Sequence, residues 1–282
     1  MGAGIFYVVA TPIGHLDDIS RRALQVLGQV DLILAEDTRH SLPMLSRLGV
    51  HTPLQALHEH NEQRKLARII ERLEGGASIA LISDAGTPLI SDPGYLLVRT
   101  LRERGLAVVP IPGPSALTCA LSAAGVPTNR FVFEGFLPPK RPDRLHHLRT
   151  LTREPRTLVF FEAPHRIVTM LEDVAAVFGD HRRGVLAREL TKVFETFRHG
   201  AVADLCTWLQ ANPEQRKGEI VVLIEGAAET EVPAVILRAD DVLQALLPIL
   251  PLKQAVIVAS RLTGEKRNVL YRRAVAFSSD SS

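Results

Sequence analysis

The residues best equipped for chemistry stand in short polar runs, each directly behind an apolar one. Glu36-Asp37-Thr38-Arg39 places two carboxylates beside a guanidinium, enough to hold a hydroxyl or an amine, or to close on itself as an ion pair. His58-Glu59-His60-Asn61-Glu62 has the outline of half a metal site, yet position 62 is Glu where a HExxH motif requires His. It reads either as a polar wall or as a ligand pair awaiting a distant acid, and no resident metal is expected. The richest run is SIALISDAGTPLISDPG, residues 78–94. Its glycines permit dihedrals closed to other residues and its prolines fix φ, which suits a rigid loop that brings backbone groups close to a ligand, or two stacked turns with none. Farther on, Phe161-Glu162 ends another apolar run, and Lys140 and Arg141 open a basic strip that continues through Arg144, His146, His147, Arg149 and Arg153.

Strands are what must deliver these loops. Residues 5–10, 30–35, 53–57, 79–82 and 107–111 are short, apolar and rich in branched side chains, and helical spacing separates them. Alternation of this kind predicts a largely parallel sheet buried on both faces, with ligands bound beyond the carboxyl ends of the strands. Asp17 or Asp18 is the expected cap of the first helix, which runs to about Leu27, and Pro43 is expected near the first turn of the second. A second strand series is predicted at 131–136, 157–161, 184–188 and 219–225, and the alternating 194–199 adds an antiparallel strand to make that sheet mixed. The expected division is 1–114, 115–228 and a small helical module at 234–277. In that module seven basic residues (Arg238, Lys253, Arg261, Lys266, Arg267, Arg272 and Arg273) face three acidic ones, Asp240, Asp241 and Glu265. Two helices joined at Thr263-Gly264 are compatible with a basic helix-turn-helix, or with a solvated helical cap.

The 282 residues suffice for two α/β domains and an appendage. An apolar fraction of 46%, a charged fraction of 23% and a net charge of +2 are ordinary for a globular protein, so any nucleic-acid surface must come from the placement of charge. Cys119 and Cys206, each in an apolar setting, are read as buried thiols of a reducing compartment. No run of about 18 apolar residues and no secretory leader is present, so a cytoplasmic location without membrane contact is expected. Neither a GxxxxGK[ST] phosphate loop nor a GxGxxG fingerprint occurs, which argues against a P-loop nucleotidase and an ordinary dinucleotide-binding domain.

The runs VVATPIGHLDDIS, LAEDTRH, HEHNE, LISDAGTPLISDPGY, PIPGPSAL, FEGFLPPK, FFEAPHR and ARELTKVFET occur in this order. Together they resemble the bacterial 16S ribosomal RNA 2′-O-ribose methyltransferases of the tetrapyrrole methylase superfamily, over nearly the whole chain. His15 stands where that family commonly has Asn. The resemblance implies a two-domain tetrapyrrole-methylase-like α/β fold, the class III S-adenosylmethionine methyltransferase type, with a helix-turn-helix appendage. It further implies a homodimer, S-adenosyl-L-methionine in the cleft between the domains, and methyl transfer to a cytidine 2′-hydroxyl of 16S rRNA in the decoding centre of the small ribosomal subunit.

Position by position, the resemblance places Pro12, Ser83, Asp84, Ala85, Leu89, Ile90, Ser115, Ala116, Phe161 and Leu190 along the cofactor cleft. A ribose hydroxyl is a weak nucleophile, so a base would help; Glu36, Asp37, His58 and Glu162 are the candidates. Arg39, Lys140, Arg141, Arg166, Arg188 and Lys192, with Lys266, Arg267, Arg272 and Arg273 of the module, are the expected RNA contacts. Asp84 is expected to position the cofactor rather than to act as base. Competing readings are a tetrapyrrole C-methyltransferase and a non-catalytic RNA-binding, ribosome-associated protein.

Overall fold

The computed structural model describes residues 2–228 and 239–279, apart from the side chains of Glu59, His60, Ser278 and Ser279. Its first sheet contains β1 (Ile5–Val9), β2 (Leu32–Ala35), β3 (Leu54–Ala56), β4 (Ile79–Ile82) and β5 (Ala107–Ile111). All are parallel, in the order β3-β2-β4-β1-β5. The uninterrupted apolar runs are explained by burial on both faces. Phe6, Leu32, Leu34, Ile79 and Leu81 pack with α3 (Glu59–Glu74) and α4 (Tyr95–Glu103). Their neighbours Val9, Ile33, Ala35, Ala80 and Ile82 pack with α1 (Arg21–Gln29) and α2 (Thr38–Arg47). Period-two alternation thus feeds two cores instead of one core and water.

Two local expectations are corrected. Ser20, not Asp17 or Asp18, caps α1 by accepting the Ala23 N–H at 3.1 Å. Both aspartates lie in a single 3₁₀ turn, Leu16–Asp18, which His15 caps through Nδ1 at 3.3 Å from the Asp17 N. An Asn amide oxygen could serve the same role, so His15 keeps the cap. Pro43 lies inside α2, because Asp37 starts that helix directly after β2; lacking an N–H, the proline forgoes the helical bond to the Arg39 carbonyl.

The chain leaves the first sheet at β5, and α5 (Ala116–Ala123) packs Ala120 and Leu121 against the second sheet. That sheet contains β6 (Phe131–Phe136), β7 (Thr157–Glu162), β8 (Arg183–Arg188), β9 (Thr196–Ala201) and β10 (Ile220–Ile224). Its order is β6-β7-β10-β8-β9, with only β6 and β7 parallel. It is mixed as expected, although β10 as well as β9 runs antiparallel to its neighbours. Leu158, Phe160, Leu186 and Val222 face α6 (Arg141–Thr150), α7 (Ile167–Phe178) and α8 (Val202–Ala211), while Val159, Val185, Ala187 and Val221 face α5. Cys206 is buried; Cys119 is only partly so, because it sits on the α5 flank of this core.

Both sheets belong to one compact unit ending at Ala227, and a second unit begins at Ala228. The second unit has α9 (Ala239–Leu246), α10 (Leu252–Thr263) and α11 (Arg267–Ser279) around Val242, Leu243, Val256, Ala259, Leu270 and Ala274. Gly264, at φ 74°, supplies the left-handed end of α10 that allows the turn into α11. Residues 234–238 of the expected module, Arg238 included, lie outside the described residues.

Candidate active site between the two sheets

Loops from three strand ends of the first sheet are tied into one wall. Thr11, after β1, and Gly86, after β4, exchange backbone bonds at 2.9 and 3.1 Å. The buried Ser83 hydroxyl reaches the Ala85 and Gly86 carbonyls at 3.3 Å, and the Thr87 hydroxyl donates to Pro114 O at 2.9 Å, after β5. Gly86 has φ 84°, and a Cβ there would stand 3.2 Å from Ile13. From β2, the Asp37 N–H donates to Asp84 Oδ1 at 3.1 Å, so Asp84 braces two loops. The loop is rigid because its polar groups bond one another, as its composition suggested.

Opposite this wall stand Phe136 at the end of β6, Phe161 and Glu162 at the end of β7, Leu190, and the segment Gly218–Val221 leading into β10. Between the walls lies a cavity of about 380 Å³. Phe161 meets Phe133 and Phe136 edge to face, at 4.8 and 5.8 Å between centroids. Close contact between the halves requires Gly14, where a Cβ would lie 2.5 Å from the Lys192 side chain and 2.9 Å from Leu190 O.

Backbone strain concentrates here. Among the described residues the non-glycine positions with positive φ are Leu89 (72°), Ser91 (71°), Glu189 (52°) and Thr191 (64°). They flank Ile90 on one wall and Leu190 on the other, and both Ile90 and Leu190 line the cavity. Each such residue costs on the order of 1–3 kcal/mol and persists only when its surroundings fix it. Around Leu190 the fixing groups are visible: Glu189 N–H to Glu219 O at 2.9 Å, Thr191 N–H to Glu195 Oε2 at 2.7 Å, and His15 N–H to Thr191 Oγ1 at 3.1 Å.

Acid chemistry dominates the cavity, which Asp84, Asp92, Glu162 and Glu219 line. Glu162 is buried, accepts the Ala163 N–H at 2.8 Å and pairs with Arg166 at 3.1 Å. Burial nevertheless outweighs these bonds and raises its pKa. Glu219 shares Lys192 with Glu189, at 3.2 and 2.8 Å. No basic side chain pairs with Asp84 or Asp92 among the described residues. Burial pushes Asp92 up to about 7, assisted by the charges of Glu36 and Asp84 and opposed by a hydrogen bond with Ser83. An apolar cleft holding unpaired carboxylates suits a ligand that has apolar faces and carries positive charge.

Of the expected cofactor residues, Asp84, Ala85, Ile90, Ala116, Phe161 and Leu190 line the cavity. Ser83 is buried and bonded within its own loop, Leu89 packs into the first-sheet core, Ser115 stands at the N-cap position of α5 with no side-chain capping bond, and Pro12 is buried beside the Thr11 clip. Among the four base candidates, Glu162 lines the cavity and Glu36 is near enough to Asp92 to raise its pKa. Asp37 caps α2 and is bonded twice by the Arg39 side chain, which holds its pKa down at about 2. His58 opens α3 in a reciprocal cap with Asn61. Buried Glu62 accepts the Leu97 N–H at 2.7 Å, so the HEHNE run acts as a joint between α3 and α4. No cluster of three or more metal-ligating side chains occurs among the described residues, and the His60 side chain lies outside them.

The expected RNA contacts are dispersed. Lys140 is exposed, Arg39 is exposed with Asp37, and Arg141 bonds Asp173 at 2.8 Å while remaining largely exposed. Arg166 is held by Glu162 and by Leu137 O, and Lys192 by its two glutamates. Arg188 is buried, donating to the Lys217 and Phe194 carbonyls at 3.0 Å, so its guanidinium faces the protein. In the second unit Arg273 pairs with Asp240 and Glu265, whereas Arg267, Arg272 and Lys253 border a groove with Tyr271. Lys266 is exposed.

The family models decide what this cleft belongs to. Residues 6–206 match Tetrapyrrole (Corrin/Porphyrin) Methylases and residues 234–278 match the RsmI C-terminal HTH domain. "Ribosomal RNA small subunit methyltransferase I" of Pseudomonas aeruginosa is 53% identical over 279 residues, 98% of either chain. The chain belongs to this methyltransferase I family of the tetrapyrrole methylases. The protein of the same name from Escherichia coli O157:H7 is 52% identical over 274 residues, 96% of this chain and 95% of that one. Among solved structures, the cobalt precorrin-4 methyltransferase CbiF aligns with TM-score 0.58 at 17% identity, over 78% of this chain and 94% of that one. At such identity only the methylase fold is shared.

Sequence reasoning overlooked Asp92, Ser91, Phe136 and Gly218–Val221. The signal for Asp92 was the second Ser-Asp pair of LISDAGTPLISDPG, which repeats the first at the far end of the same loop. For a member of this methylase family, Asp84→Ala is expected to weaken S-adenosylmethionine binding by about 10-fold, the scale of one lost charged hydrogen bond, with RNA affinity unchanged. Calorimetric titration of cofactor and filter binding of RNA, run on both proteins, check this.

Proposed function

We propose that this protein transfers the methyl group of S-adenosylmethionine to the ribose 2′-hydroxyl of a decoding-centre cytidine in 16S rRNA of the small ribosomal subunit. It does so as a cytoplasmic homodimer, with residues 1–114 and 115–228 as the two domains that hold the cofactor. The observation that carries the reading is the strained, acid-lined cleft between two methylase-type sheets, in a chain about half identical, over nearly its whole length, to proteins named for small-subunit rRNA methylation.

The residues present fit the cofactor. Ile13, Ala85, Ile90 and Leu190 give apolar walls for a nucleoside and an alkyl chain, and Asp84 gives negative charge toward a sulfonium or an ammonium. S-adenosylmethionine supplies a methyl group already activated by its positive sulfur. What remains for the protein is to orient the hydroxyl in line, exclude water and remove a proton, and orientation alone can supply much of the acceleration. The tied loops of the first sheet and the bonded left-handed residues of the second preorganise that geometry. No described helix is long and apolar enough to cross a membrane.

A tetrapyrrole substrate is the second reading, favoured by the fold shared with the precorrin methyltransferase. The match at 234–278 favours RNA, because a basic helical unit has a use on a polyanion and none on a small macrocycle. Incubation with methyl-labelled cofactor and either unmethylated small subunits or naked 16S rRNA tests the proposal. Label in RNA is expected; label in neither, despite cofactor binding, would overturn it and favour a non-catalytic RNA-binding role. Removing residues 239–282, which include Lys253, Lys266, Arg267 and Arg272, is expected to weaken RNA binding and flatten its salt dependence, since each lost phosphate contact lowers the slope by about 0.7–0.9. Cofactor affinity should stay as it was. Filter binding across a salt series reads the slope.

A further inference from the structure

We infer that Asp92 is the group that takes the proton from the attacking ribose hydroxyl, an assignment that rests on the 2′-O-methylation reading above. Asp92 lines the cavity, and no other part of the site described so far employs it. It is also held in place. Ser91 before it has φ 71°, Pro93 after it is buried, and Gly94 at φ 118° starts α4 directly behind. From the second sheet, the bulge at Gly135 brings a position without a side chain up to Ser91, where a Cβ would lie 3.2 Å from the hydroxyl.

The neighbours make it a base of suitable strength. Glu36 faces it from the loop after β2, Asp84 and Ser83 from the loop after β4. The other acids lining the cavity, Glu162 and Glu219, are engaged by Arg166 and Lys192. Burial and the two nearby carboxylates disfavour a charge on Asp92, so it titrates at about 7. Such a group is ionised in a large fraction of molecules near neutral pH yet binds a proton far better than an ordinary carboxylate, the compromise that general-base catalysis favours. Asp37, near 2 and clamped by Arg39, is too weak a base. In the step itself, the hydroxyl proton passes to the Asp92 carboxylate as the oxygen bonds the methyl carbon. The carbon–sulfur pair leaves with sulfur, and Asp92 later returns the proton to water.

The test is single-turnover methyl transfer to small subunits at saturating cofactor, from pH 5.5 to 9, with cofactor affinity measured alongside. The wild-type rate should rise through about pH 7 and level off. Asp92→Asn should lower the plateau rate by about 10²–10⁴-fold and abolish that titration, with cofactor affinity preserved. Glu36→Gln removes a neighbouring negative charge and should move the midpoint to lower pH while a titration remains. The assignment is overturned if Asp92→Asn keeps the wild-type rate or pH profile, if its rate and cofactor affinity fall together, or if Glu36→Gln abolishes the titration. Absence of transfer by the wild-type protein would instead remove the 2′-O-methylation reading, and the assignment with it.

Discussion

Asp173→Ala is expected to lower the unfolding free energy of the two-sheet unit by about 3–5 kcal/mol, the cost of breaking a buried ion pair from one side. Asp173, 1% exposed on α7, accepts Arg144 Nε at 2.8 Å and Nη2 at 2.7 Å, and Arg141 Nε at 2.8 Å. Arg144 is itself 6% exposed in its side chain. Its remaining acceptors are the Pro138 and Pro139 carbonyls at 3.2 and 3.0 Å. Without the carboxylate a guanidinium stays buried with two carbonyls bonded to it and only the charge of Glu162, itself paired with Arg166, in reach. The pair Arg99–Glu103, more than half exposed on both sides, is the contrasting control; its removal should cost about 0.3–0.5 kcal/mol. Urea midpoints at constant slope measure both. A loss below about 1 kcal/mol for Asp173→Ala would mean that water reaches Arg144 more readily than its burial indicates.

Ala85→Trp should have the largest effect on activity while leaving stability nearly unchanged. Ala85 is half-buried and lines the cavity from the loop after β4, in the part of the wall clipped to β1. That wall cannot retreat, because Thr11, Ser83 and Thr87 fasten it. An indole there occupies ligand space, and since a displacement of about 1 Å already costs about 10²-fold in rate, methyl transfer should fall below detection with cofactor binding lost. Calorimetric titration and a melting curve separate loss of the site from loss of the fold. Undiminished cofactor binding would place the cofactor elsewhere.

The strands were legible from residue type because the central ones, β2, β4 and β10, are buried on both faces and the edge strands β5 and β6 are still built from apolar residues. The runs 79–82, 107–111 and 131–136 carry no polar residue that would blur their ends, apart from Glu134 at the β6 bulge. Which carboxylate matters was not legible. Asp37, the most conspicuous acid, is consumed in capping α2 and binding Arg39, whereas Asp92 looks like a turn residue until Glu36 and Asp84 are seen beside it. The left-handed backbone around Ile90 and Leu190 was equally hidden, because Leu, Ser, Glu and Thr do not announce positive φ. The basic strip beginning at Lys140 divides for a similar reason. Helical periodicity turns Arg144, with Leu148 one turn on, into the core toward Asp173 and leaves His146 and Arg149 outside.

The claim that the cleft methylates a ribose hydroxyl is tested most directly by where the methyl group ends. Alkaline cleavage of RNA needs a free 2′-hydroxyl, so after transfer of labelled methyl to small subunits and exhaustive alkaline digestion, a 2′-O-methylated residue survives in a dinucleotide. The label is expected in an alkali-stable dinucleotide with cytidine on its 5′ side. Label recovered in mononucleotides would show methylation on a base and contradict the proposed chemistry.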